Sequence, residues 1–223
     1  MKRVIGTVTI GQSPRVDLIP EIKAILGPDI EIIEGGALDG LSLEEVKRYY
    51  PGPGDYVLVT RMADGTEVKI AKRHIIGRMQ AQIDRLAREG AEVIALVCTG
   101  EFPPFKCDRL IVEPQKVLYG VTRALALELK LGVVIPDQSQ VPAAYRKWSG
   151  AAREVRVEAA SPYGHGGDIV RASKALREWG AQVVVMDCIG YTLGNKAVVK
   201  EIVGGPVILA RSVVARVLSE LVS

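Results

Sequence analysis

The stretch Gly90-Ala91-Glu92-Val93-Ile94-Ala95-Leu96-Val97-Cys98-Thr99-Gly100 aligns without a gap against Gly180-Ala181-Gln182-Val183-Val184-Val185-Met186-Asp187-Cys188-Ile189-Gly190. Each copy opens on a glycine suited to ending a helix, continues through an apolar run of strand length, and closes on a cysteine with a glycine two residues later. A second match pairs Gly6-Thr7-Val8-Thr9-Ile10-Gly11-Gln12-Ser13 with Gly132-Val133-Val134-Ile135-Pro136-Asp137-Gln138-Ser139. The cysteine-bearing pair is offset by 90 residues and the other pair by 126, so an insertion of 36 residues in the first half reconciles them. The chain therefore reads as two α/β lobes of common design.

Working outward, apolar runs predict strands at 4–10, 30–33, 93–97, 110–112, 132–135, 155–157, 183–186 and 207–209. Helical spacing predicts helices over 71–89, 115–129, 143–148 and 168–179, with a last one reaching 221. Another is expected from Pro14, capped by Ser13 and carrying Val16, Ile19, Ile22 and Leu26 on one face. Strands alternating with helices call for mainly parallel sheets flanked by helices. The runs 55–60 and 66–70 break this alternation. They are joined through Asp64-Gly65, two residues that tolerate positive φ, and read as a β-hairpin inside the inserted interval. The expected division is a first α/β lobe at 1–100 with its hairpin near 55–70, and a second lobe at 101–205. A closing strand and helix at 206–223 is expected to pack back on the first lobe.

Composition bounds the function classes. With 48% hydrophobic and 25% charged residues, the 223-residue chain can bury a sizeable core. Its 29 basic and 26 acidic side chains are interspersed, which argues against nucleic acid or an anionic membrane as partner. Three cysteines without short-range spacing suit a reducing compartment and predict thiols rather than a disulfide framework. The N-terminus turns polar at residues 11–13, too early for a signal peptide, and no apolar run approaches the roughly 18 residues of a membrane span. A cytoplasmic location is expected. The P-loop lysine, a G-x-G-x-x-G after the first strand, H-E-x-x-H and paired cysteine ligands are all missing from the sequence, so neither a metal nor an organic cofactor is expected.

In parallel α/β sheets ligands bind beyond the carboxyl ends of the strands, where Cys98 and Cys188 both fall. Each is followed by a small turn expected to lead into a helix, whose N–H groups suit a carboxylate. If a pseudo-twofold relates the lobes, the two sulfurs approach one ligand in a shared cleft from opposite sides. One thiolate then removes a proton next to a carboxylate while the other thiol donates from the opposite face. The plain alternative is two small buried side chains copied by duplication.

Around the cysteines, Gly11, Gln12, Ser13 and Arg15 follow the first strand and offer amide, hydroxyl and guanidinium groups to a substrate carboxylate; a helix cap with a solvated arginine is the competing reading. Thr99 and Gly100 form the turn after the first cysteine. Asp187 either orients the Cys188 thiol or accepts backbone N–H groups, and Gly190, Tyr191 and Thr192 stand close behind. Cys107, His74 and His165 read as incidental or surface residues.

The run Thr9-Ile10-Gly11-Gln12-Ser13-Pro14-Arg15-Val16-Asp17-Leu18, with Glu113-Pro114 and Met186-Asp187-Cys188-Ile189-Gly190-Tyr191, resembles the AroM protein family over nearly the whole chain. That family is similar in fold to the aspartate/glutamate/hydantoin racemase superfamily, which uses one cysteine from each of two lobes without a cofactor. The resemblance implies that Cys98 and Cys188 are such a pair, that the ligand is a small carboxylate or amino acid, and that the chain forms a homodimer. The superfamily turn Asn-Thr is replaced here by Thr99-Gly100, which alters the implied carboxylate grip. Two functions follow as expectations: a cofactor-independent racemase or isomerase, and a non-catalytic small-carboxylate-binding accessory or sensor protein linked to aromatic amino-acid metabolism.

Overall fold

The computed structural model describes residues 3–164 and 166–222; His165, expected at the surface, lies outside them. The chain is an α/β protein that divides into two compact units, one formed by residues up to Gln115 with those from Ala215 onward, the other by Lys116–Val214. In the first, the order is β1 (Arg3–Thr9), α1 (Ile19–Leu26), β2 (Ile30–Gly36), α2 (Leu43–Val46), β3 (Val57–Arg61), β4 (Glu67–Ala71), α3 (Ile76–Arg88), β5 (Val93–Leu96) and β6 (Leu110–Val112). Helix α4 (Pro114–Ala126) follows, then β7 (Lys130–Ile135), α5 (Val141–Trp148), β8 (Glu154–Ala159), α6 (Gly167–Trp179), β9 (Val183–Met186), α7 (Leu193–Val203), β10 (Val207–Leu209) and α8 (Ala210–Val222). Among the described residues no helix is long and apolar enough to cross a membrane.

Each unit holds a four-stranded parallel sheet, ordered β2-β1-β5-β6 in the first and β8-β7-β9-β10 in the second. Their registers correspond residue for residue. Gly6 lies opposite Ile94 and Gly132 opposite Val184, the same positions under the two sequence offsets. The connections into the cysteine strands correspond as well. Gly90 and Gly180 both take positive φ, 99° and 84°, where a side chain would be strained. The next residue in each, Ala91 or Ala181, donates its N–H to the carbonyl of Leu86 or Leu176 at 3.0 Å, closing the helix in a Schellman turn.

Those two leucines show why a glycine sits mid-strand in β1 and β7. A Cβ on Gly6 would come within 3.2 Å of Leu86 Cβ, and one on Gly132 within 3.0 Å of Leu176 Cδ1. Helices α3 and α6 thus seat a fully buried leucine directly on the backbone of the central strand. Separate apolar cores form around these contacts. The first includes Val8, Met79, Ile83, Leu86, Ile94 and Leu96, the second Val134, Ala172, Leu176, Val184 and Met186.

The hairpin forms as expected, with β3 and β4 antiparallel. Only Gly65 of the Asp64-Gly65 pair uses positive φ (90°), and Asp64 accepts the Thr66 N–H at 2.8 Å. Two helix starts differ from the periodicity reading. Residues Lys72–His74 form a 3-10 turn, so α3 begins at Ile76. Ser13 caps no helix. The first helix begins at Ile19, because the N–H groups of Ser13 and Arg15 go to the carboxylates of Asp39 and Glu34 rather than to a helical turn.

Leu86→Ala and Leu176→Ala should each cost about 2–5 kcal/mol, since both side chains are fully buried against backbone that cannot move in to fill the gap. Urea unfolding of the two variants measures this, with a large loss expected in both.

Candidate functional site

Cys98 and Cys188 each lie two residues beyond a core strand, β5 and β9. Within each unit the sulfur meets the same local geometry: the Gly100 N–H donates to Cys98 Sγ at 3.3 Å, and the Gly190 N–H to Cys188 Sγ at 3.4 Å. A backbone donor aimed at sulfur favours the thiolate over the thiol. At both glycines a neighbouring side chain fills the space that a Cβ would take. A Cβ on Gly100 would stand 2.8 Å from Leu58 Cδ2, and one on Gly190 2.6 Å from the Tyr163 hydroxyl. Cys98 is half-buried and Cys188 buried, and none of the three cysteines forms a disulfide.

The two turns then diverge. After Cys188 the chain enters α7, where Thr192 and Asn195 form a reciprocal capping box. After Cys98 the expected helix is absent, and irregular chain leads to β6. Pro103 and Pro104 lack N–H groups, and the hairpin holds the segment. The Glu101 N–H donates to the Tyr56 hydroxyl at 3.3 Å, and Lys72 Nζ donates to the Glu101 carbonyl at 3.0 Å. The inserted hairpin therefore shapes the loop that follows the first cysteine.

The polar loop after β1 is tied to protein groups. Gln12 Nε2 donates to the carbonyls of Leu38 (3.1 Å) and Leu41 (2.7 Å), while its Oε1 accepts the Ala63 N–H at 2.8 Å. Gly11 is buried, its N–H on Thr9 Oγ1, and the Arg61 carbonyl and Thr60 close against its Cα. Asp39 gathers the Ser13 N–H (2.7 Å), the Ser13 hydroxyl (2.6 Å) and the Gly36 N–H (2.8 Å). Arg15, 3% exposed, donates from Nε and Nη2 to the two oxygens of Asp17, both at 2.8 Å, and from Nη1 to Thr9 Oγ1 at 2.9 Å. The reading of Arg15 as a solvated side chain needs correction: it is buried and paired with an internal carboxylate. Burial alone would raise the pKa of Asp17, but the hydrogen bond and charge of Arg15, with a smaller contribution from Arg61, hold it below the ordinary carboxylate range. Burial raises that of Glu34, against the pull of the Arg15 N–H and charge.

Around Cys188 the sequence candidates take distinct places. Asp187 accepts from Lys147 Nζ at 2.9 and 3.0 Å and from Trp148 Nε1 at 2.8 Å, with both members of the ion pair under 10% exposed in their side chains. Its carboxylate anchors β9 to α5. Tyr191 is fully buried and donates to the Ala160 carbonyl at 2.6 Å; burial, then the neighbouring Cys188, Asp187 and Tyr163, push its pKa well up. Thr192 is spent on the helix cap, and Thr99 is half-buried. Sequence reasoning missed Lys147, Trp148, Asp39, Tyr163 and Arg211. Arg211, 1% exposed, donates to the carbonyls of Ile189 and Gly190. Its signal was a lone charge in the run 207–215, which is apolar apart from Arg211 and Ser212.

The AroM protein family model matches residues 5–222. The chain belongs to the AroM protein family. Solved structures similar to this AroM-family chain include maleate cis-trans isomerase from Nocardia farcinica, with a TM-score of 0.64 at 16% identity, covering 98% of this chain and 91% of that one. Glutamate racemase from Aquifex pyrophilus gives 0.61 at 14%, covering 99% and 84%, and aspartate racemase from Picrophilus torridus gives 0.59 at 11%, covering 99% and 94%. At these identities the likeness establishes a racemase-like fold. Comparison with curated proteins returns no match.

Asp187→Asn should cost about 3–5 kcal/mol, because it leaves the buried Lys147 ammonium without its counter-charge; chemical denaturation reads this. Asp17→Asn should destabilise the protein at neutral pH. The lowered folded pKa means that the Asp17 contribution is complete above the ordinary carboxylate range and is lost as pH falls through the folded value. Melting curves of the two proteins should therefore converge in acid.

Proposed function

We propose that this AroM-family member is a cofactor-independent racemase or isomerase acting on a small carboxylate or amino-acid-like substrate, with Cys98 and Cys188 as its acid–base pair. The observation that carries this reading is the repeated thiol geometry: two strand ends at corresponding positions, each with a glycine N–H on sulfur at 3.3 or 3.4 Å. A backbone N–H donor on sulfur stabilises the thiolate relative to the thiol, as the base in such a reaction requires.

In the proposed reaction one cysteine, as thiolate, takes the proton from the carbon next to the carboxylate. The other, as thiol, returns a proton to the opposite face. The substrate leaves inverted and unchanged in composition, with the protonation states of the two sulfurs exchanged. The transient carbanion requires fixed dipoles nearby. The backbone amides of the turns after the cysteines are fixed dipoles beside the two sulfurs. The racemase and isomerase structures that share the fold support the reading.

The test is solvent deuterium incorporation at the carbon next to the carboxylate across a panel of amino acids and small carboxylic acids. The protein should exchange at least one of them, and Cys98→Ser and Cys188→Ser should each lower the rate by about 100-fold or more with unchanged melting temperature. Retained exchange in both variants would overturn the proposal. Binding of a panel member with no exchange would instead favour a carboxylate-binding protein without catalysis, and loss in Cys188→Ser alone would favour one-cysteine chemistry.

A further inference from the structure

We propose that Arg211 is a positioning residue for the Cys188 thiolate, acting through two consecutive peptide planes. The guanidinium lies at the second residue of α8, 1% exposed, and donates from Nε to the Ile189 carbonyl at 3.1 Å and from Nη2 to the Gly190 carbonyl at 3.0 Å. The Ile189 carbonyl and the Gly190 N–H belong to one peptide group. Among the described residues only the Ser13–Pro14 bond is cis, so this group is trans and its C=O and N–H point in opposite directions. Holding the carbonyl on the arginine therefore turns the N–H toward the other side, where Cys188 Sγ accepts it at 3.4 Å. The next peptide repeats the arrangement: the Gly190 carbonyl faces Arg211 and the Tyr191 N–H donates back to the Cys188 carbonyl at 3.4 Å.

The geometry calls for arginine specifically. One rigid planar fork serves two carbonyls at once, and it cannot lose its charge. A cationic donor on the carbonyl also polarises the peptide, which strengthens the N–H as a donor to sulfur. Gly190 has no side chain to interfere, since the Tyr163 hydroxyl occupies the space a Cβ would need. Among the described residues, charged and titratable groups near Cys188 include Asp187, paired with Lys147, together with Tyr163 and Tyr191, the last donating to the Ala160 carbonyl. Arg211 thus supplies the cation that acts through the Cys188 turn itself.

The inference deepens the proposed reading, on which it relies only for what the thiolate is used for. Its test needs no substrate. In a Cys98→Ser, Cys107→Ser background, Cys188 is titrated by the ultraviolet absorbance of its thiolate, with circular dichroism confirming the fold. With Arg211 intact the midpoint should lie below the ordinary thiol value of about 8.5. Arg211→Met, which keeps the stem and removes both donors, should raise it by about one pH unit or more, and Arg211→Lys should fall between, because an ammonium keeps the charge without the two-pronged fork. A midpoint at or above the ordinary value with Arg211 intact would overturn the proposal. So would an unmoved midpoint in Arg211→Met or, if that variant does not fold, in Arg211→Lys. A shifted midpoint in a protein that exchanges no substrate proton would uphold the role of Arg211 while overturning the racemase reading.

Discussion

In each unit the central strand pairs in parallel with the strand that carries the cysteine, and everything near the thiols depends on the register of that pairing. Gly6 opposite Ile94 and Gly132 opposite Val184 set where β5 and β9 end, and hence where Cys98 and Cys188 leave their sheets. The same glycines let Leu86 and Leu176 rest on backbone, fixing the helices whose positive-φ glycines feed the chain back into those strands. A slip by one residue would turn every inward side chain outward. Both faces of such strands are packed, so the register is held by two layers of apolar contact at once.

On this shared frame the two thiol turns are finished by different means. The first is held from outside its sheet by Tyr56, Lys72 and Leu58 of the inserted hairpin and its margins, the second from within its own unit by Arg211 and by the Lys147–Asp187–Trp148 cluster. Most polar side chains that look ready to grip a carboxylate are already satisfied by neighbours. A buried guanidinium left without a counter-charge would be costly, and Asp17 removes that cost for Arg15. Directed at each sulfur is a backbone N–H group, which is rigid and needs no reorganisation when charge develops.

Much of this was legible in the residues themselves. The repeat located both cysteines and both glycines of the turns, and Asp64-Gly65 located the hairpin, because strand periodicity and left-handed turns are short-range properties. Helix starts were read less well. Ser13 has the chemistry of a cap, but its partner Asp39 is 26 residues away, and that distant carboxylate outcompetes the local helix. Asp187 was singled out as a site residue without its partners Lys147 and Trp148, which come from a helix about 40 residues earlier.

The sequence by itself determined the α/β alternation, the doubled strand ends with their cysteines, and the inserted hairpin, since each is written in local spacing and composition. Only the tertiary structure decided which polar groups are spent. The hydrogen bonds of Gln12, Ser13, Asp187 and Arg211 go to residues whose proximity arises from sheet order and helix packing, and a buried donor or acceptor takes whatever partner the fold brings to it.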